Sequence, residues 1–170
     1  MNTKHYFLSI FLPLPLFVSP LSANAHSNKP HQVKSELSMA RFEQMPWGIG
    51  VTSKKVTQTV EVVMNDSMRF APSNLSFREG DIVRFRVRNE GKLMHEFVIG
   101  TEESNRQHAE LMKRFPNMEH DEPYMAHVAP GDTRDLTWMF NRSGDFQFAC
   151  LIAGHFDAGM VGSIVVTKTR

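Results

Sequence analysis

The segment Ile82-Val83-Arg84-Phe85-Arg86-Val87-Arg88 puts apolar side chains at 83, 85 and 87 and arginines at 84, 86 and 88. A period of two sends alternate side chains to opposite faces of an extended chain, so this run suits a strand with one face in a core and no helix. Comparable runs recur at 56–64, 74–77, 96–99, 133–140, 144–150 and 161–167. Turn residues separate them: Glu79-Gly80-Asp81, Asn89-Glu90-Gly91 and Ala129-Pro130-Gly131-Asp132. About seven short strands punctuated in this way predict an all-β fold, an antiparallel Greek-key β-sandwich. One stretch breaks the rhythm. Residues 102–115 carry Ala109, Leu111, Met112 and Phe115 among charges, which predicts a short helical insertion between strands. There are no internal repeats and no low-complexity tracts.

The N-terminus reads as a secretory signal peptide. Lys4 supplies the positive charge, residues 6–21 are almost without polarity, and Ser22-Ala23-Asn24-Ala25 is a small-residue cleavage site. The apolar stretch is shorter than the roughly 20 residues of a membrane span and carries Pro13, Pro15 and Pro20, so cleavage after Ala25 and export to the periplasm are expected, with no membrane anchor afterwards. Of the 19 basic and 18 acidic residues, only Lys4 falls in residues 1–25. The mature chain is therefore charge-balanced and has no electrostatic case for nucleic acid. Residues 26–55 mix Ser, Asn, Lys, His and Pro with little periodicity and read as a partly mobile leader, docking through Trp47 and Ile49. Residues 56–170 then form one domain, large enough to bury a core without disulfides.

Disulfides are in any case unavailable, because Cys150 is the single cysteine. A lone thiol in an exported protein is either a buried structural residue or has chemistry of its own. Its surroundings favour chemistry. In Phe148-Ala149-Cys150-Leu151-Ile152-Ala153-Gly154-His155-Phe156-Asp157-Ala158-Gly159-Met160, a strand ends at Cys150, a glycine-containing loop carries His155, and Met160 precedes the last strand. Thiolate, imidazole and thioether thus come from one hairpin loop. Soft sulfur ligands suit Cu(I) and imidazoles serve both oxidation states, so the set suits a type 1 copper: two histidines and a cysteine, with a weak axial methionine. His95, just after the turn at Gly91 and at the start of a strand, is the best second histidine.

Cys-x4-His-x4-Met before the last strand of an all-β exported domain resembles the cupredoxin family over residues 56–167. Gly91-Lys92-Leu93-Met94-His95-Glu96-Phe97 and Met118-Glu119-His120-Asp121-Glu122-Pro123 further resemble the periplasmic copper-tolerance cupredoxins of the CopI type. The resemblance implies a cupredoxin-like sandwich, one type 1 copper and a role in copper handling. Electron transfer with a redox partner protein, including oxidation of Cu(I) to Cu(II), is then the expected activity; a copper buffer or delivery protein without a redox role is the alternative. A cysteine nucleophile with His155 as base leaves Met160 and His95 without a role. A binuclear copper centre needs a second cysteine, and a multicopper oxidase needs paired His-x-His motifs. A second, softer copper site is expected from Met118, His120, Met125 and His127, with Met94 facing the same place, because thioethers beside an imidazole prefer Cu(I).

Overall fold

The structure, a computed structural model, describes residues 43–52, 54–116, 118 and 120–169. The expected signal peptide and the first part of the expected leader lie outside the described residues. In chain order the elements are β1 (Gln44–Met45), β2 (Gly48–Gly50), β3 (Gln58–Asn65), β4 (Arg69–Ala71), β5 (Asn74–Arg78), β6 (Ile82–Asn89), β7 (His95–Gly100), α1 (Glu102–Arg114), β8 (Met125–Val128), β9 (Thr133–Met139), β10 (Gly144–Ala149) and β11 (Val161–Thr167). They build two sheets, ordered β1-β2-β9-β6-β3-β4 and β5-β11-β10-β7-β8. Among the described residues no helix is long and apolar enough to cross a membrane.

The alternation that marked β6 is realised. Val83, Phe85 and Val87 are fully buried while the arginines between them lie on the outer face. From the two inner faces, Phe85, Phe97, Trp138, Phe140 and Phe148 close the core without exposure. Burying each such side chain stabilises the fold by about 1.5–3 kcal/mol. The rings meet mostly edge to face or tilted, as Phe70 does against Phe148 with centroids 5.0 Å apart, which suits their quadrupoles.

Two pairings depart from the expected antiparallel pattern: β3 with β6, and β5 with β11, are parallel. The cause lies in the connection. After β4 the chain enters the other sheet as β5 and returns as β6, so β3 and β6 run the same way. Two further strands come from sequence that reads as leader. Ile49 and Gly50 pair with Met139 and Trp138, and Trp47 is buried, its carbonyl accepting a hydrogen bond from Trp138 Nε1 at 3.0 Å.

The inserted helix is capped from both sides. Thr101 Oγ1 accepts from the Ser104 amide at 3.0 Å, and Ser104 Oγ accepts from the Thr101 amide at 2.9 Å. Glu102 and Glu103 stand in the first turn and Lys113 and Arg114 in the last, favourable ends for the helix dipole. Its apolar residues Ala109 and Met112 pack with Val98, Met125, Ala149 and Leu151. The helix therefore covers the outer face of β7, β8 and β10, and all six residues of β7 are buried.

Candidate metal centre

Strand β7 positions the first ligand candidate. Successive side chains alternate between faces, so Phe97 and Ile99 point into the sandwich core and Val98 towards α1. His95 shares the parity of Phe97 and is fully buried. β10 runs antiparallel to β7, with Ala149 opposite Val98, and ends one residue before Cys150. His95 Nδ1 then stands 4.0 Å from Cys150 Sγ, and His155 Nδ1 stands 3.2 Å from it.

The loop that carries His155 is tightly closed. The Met160 carbonyl accepts from the Cys150 amide at 3.0 Å, the His155 carbonyl from the Met160 amide at 3.1 Å, and the Ile152 carbonyl from the His155 amide at 2.9 Å. Gly154, with φ of +88°, permits the turn that a side chain would strain. Arg69 of β4 reaches across to the Ala158 carbonyl at 2.9 Å and ties the loop to the other sheet. Met160 is fully buried in the same core cluster as Cys150.

The electrostatics suit a metal better than a free thiol. Burial pushes the Cys150 thiol up to about 12, against the opposing hydrogen bond from the Glu96 amide, 3.3 Å from Sγ. Burial, and then the neighbouring His95, lower the His155 pKa, so its imidazole is neutral and holds a lone pair at neutral pH. A buried thiol beside two imidazoles, lined by apolar side chains, is the donor set that a soft, redox-active cation completes. The His-Cys-His-Met set fits a type 1 copper.

Sequence reasoning missed the residue that orients His95. Asp66, in the β3–β4 turn, accepts from the amides of Lys92 at 2.7 Å and Leu93 at 3.2 Å, and its Oδ1 lies 3.1 Å from His95 Nε2. The Lys92 amide is the main reason its carboxyl stays below the usual carboxylate range. The carboxylate only accepts, so His95 carries its proton on Nε2 and turns Nδ1 to Cys150. A Cβ on Gly91 would stand 2.8 Å from Asp66 Cγ and nearer still to Oδ1, so the glycine makes room for this carboxylate. An Asp 29 residues before a histidine is no local motif, and nothing in the sequence marked the pair.

Of the residues expected at a softer site, His120 and His127 come together, with ring centroids 5.6 Å apart. Met125 packs instead in the apolar cluster beneath α1, and Met94 and Met118 are 45% and 40% exposed. Residues 125–128 form strand β8, paired with β7 so that His127 lies opposite Glu96. Sequence reasoning also missed Glu96 and His108. Glu96 is buried, its Oε1 3.0 Å from His127 Nε2, and this hydrogen bond is the main cause that raises the His127 pKa. The His108 ring lies 4.6 Å from that of His120, and burial followed by that imidazole lowers its pKa.

The fold and the centre define a class, and the comparisons agree with it. The model of the plastocyanin/azurin family of copper-binding proteins matches residues 56–167, and the chain belongs to that family. Within it, the chain is 41% identical over 160 residues to the copper-resistant cuproprotein CopI of Rubrivivax gelatinosus, covering 92% of this chain and 97% of that one. It is 37% identical over 118 residues to the protein of the same name from Vibrio cholerae, covering 69% and 70%. Among solved structures auracyanin B superposes with a TM-score of 0.59 at 23% identity, covering 74% of this chain and 99% of that one, a likeness of fold.

Proposed function

We propose that His95, Cys150, His155 and Met160 hold one type 1 copper, and that the chain is a periplasmic electron-transfer protein of copper tolerance. The observation that carries this reading is the burial of Cys150, His95 and Met160 on one rigid loop and strand end, with Cys150 Sγ facing both histidine Nδ1 atoms. Copper bound there supplies one-electron chemistry, since thiolate, thioether and imidazole accommodate both oxidation states. The chain supplies the rest. Asp66 fixes the His95 tautomer, the Glu96 amide donates to the thiolate sulfur, and the Arg69 contact holds the loop, so the donors move little when the charge at the site changes.

Names of relatives that denote copper resistance support a role in copper handling, and the composition of residues 1–25 supports export. Leu93 and Met94, about half exposed beside His95, offer an apolar approach for a redox partner protein, and the Met94 thioether suits cuprous ion. Cuprous ion as a substrate loses one electron, which the partner accepts; a buffer would hold copper without this turnover. The test of the site is the visible spectrum of the copper-loaded chain. An intense thiolate-to-copper band is expected in the parent and its loss in a folded Cys150→Ser variant; an unchanged band in the variant refutes the assignment. Steady-state cuprous oxidation with an added acceptor distinguishes turnover from storage, and copper binding without it refutes the redox role.

A further inference from the structure

On the face of β7 turned away from the thiolate, side chains from four elements meet. Glu96 comes from β7, His127 from β8, His108 from α1, and His120 from the segment that follows the helix. One donor atom from each of Glu96, His120 and His127 lies within 4.8 Å of the other two. We propose that these three residues form a second metal site, distinct from the thiolate site, for a divalent d-block cation, with Cu(II) bound most tightly and His108 as a neighbouring imidazole.

Two buried acceptors without donors carry the argument. Glu96 is 2% exposed and, among the described residues, its Oε2 has no hydrogen-bond partner. His120 Nδ1 lies 2.9 Å from the Met118 carbonyl, which only accepts, so that nitrogen bears the proton. The lone pair is then on Nε2, which is also buried and without a partner among the described residues. A plain ion pair of His127 with Glu96 would engage Oε1 and leave both of these atoms bare, at the full desolvation penalty of each. A cation between them engages all three side chains at once.

The remaining features agree. Ligands about 2.0–2.1 Å from one ion stand roughly 3–4 Å apart, so the present spacing closes with sub-ångström movement. The His120 contact to a carbonyl is the outer hydrogen bond that metal-bound histidines make. The His127 side chain is 37% exposed and opens the cluster to solvent. Two imidazoles and a carboxylate, with no sulfur among them, favour Cu(II) or Zn(II) over Cu(I), and the order of divalent affinities puts Cu(II) first. His95 and Glu96 are neighbours in sequence, and the Glu96 amide donates to Cys150 Sγ, so one peptide unit separates the two sites.

The test uses the full mature chain with its thiolate site already filled with copper. CuCl2 is titrated in, bound metal per chain is counted after dialysis, and the added ion is followed by electron paramagnetic resonance. His120→Ala with His127→Ala should bind one Cu(II) fewer per chain than the parent and lack one resonance signal with nitrogen hyperfine structure. Its visible thiolate-to-copper band should keep the parent's intensity. An equal concentration of ZnCl2 added to the parent should leave this resonance signal, and only a large excess should suppress it, because Cu(II) binds more tightly. Equal stoichiometry and an equal spectrum in variant and parent overturn the proposal. Should the double variant lose the visible band through misfolding, His120→Ala alone decides by the same criteria, since His120 lies outside the strands and helix. Absence of the visible band in the parent would count against the thiolate site and leave this one to its own stoichiometry.

Discussion

Gly91→Ala tests how far a residue that touches no donor atom governs the proposed copper ligands. The new Cβ would stand 2.8 Å from Asp66 Cγ, and carbon atoms in comfortable contact need about 3.5 Å, so the carboxylate must retreat by about 0.7 Å. Its bond to His95 Nε2 is 3.1 Å long and ceases to be a hydrogen bond at about 3.6 Å. The required shift exceeds that margin, and the bond that fixes the His95 tautomer is lost. Losing such an outer partner costs about 10–100-fold in metal affinity. The assay is copper competition against a chelator of known affinity, run on the parent, Gly91→Ala, Asp66→Ala and the double variant. Because both substitutions act through one hydrogen bond, the double variant should be no weaker than Asp66→Ala alone, a strongly non-additive cycle. Parent-like affinity in Gly91→Ala, or additive losses, would refute the chain of reasoning from glycine to carboxylate to imidazole.

Two further outcomes follow from the same centre. Met160→Leu should retain copper and raise the reduction potential, and Met160→Gln should lower it, because a weak axial ligand tunes potential more than it holds metal; three equal potentials by voltammetry would remove Met160 from the coordination sphere. In the metal-free protein, with the Cys150 pKa near 12, only about one molecule in 10⁵ carries a thiolate at pH 7, so alkylation should be far slower than in the denatured chain and should rise about tenfold per pH unit between pH 7 and 9; rapid alkylation of the folded metal-free protein at pH 7 would contradict this.

Much of this protein is written in local sequence. Alternation in residues 82–87 specifies β6 because a strand's period of two acts over a few residues, and the apolar spacing in residues 102–115 marks α1 for the same kind of reason. The spacing of Cys150, His155 and Met160 is likewise local, since one loop carries all three. Short strands without a full period were illegible: β4 and β8, of three and four residues, and β1 and β2, which hold strand conformation through β9.

What only the tertiary structure decided is which distant side chains meet. Asp66 finds His95 because the β3–β4 turn lies beside the start of β7, and Glu96 finds His127 because β7 and β8 pair in one register. A slip of one residue in that register would turn His127 to the other face. The expected sulfur-rich cluster rested on nearness in sequence. The observed carboxylate and imidazoles rest on strand pairing and on the docking of α1, which place Met125 in an apolar layer and His127 at its edge. Sequence determines the donors a segment can offer through their identity and spacing; the packing of sheet on helix determines which of them share a point in space.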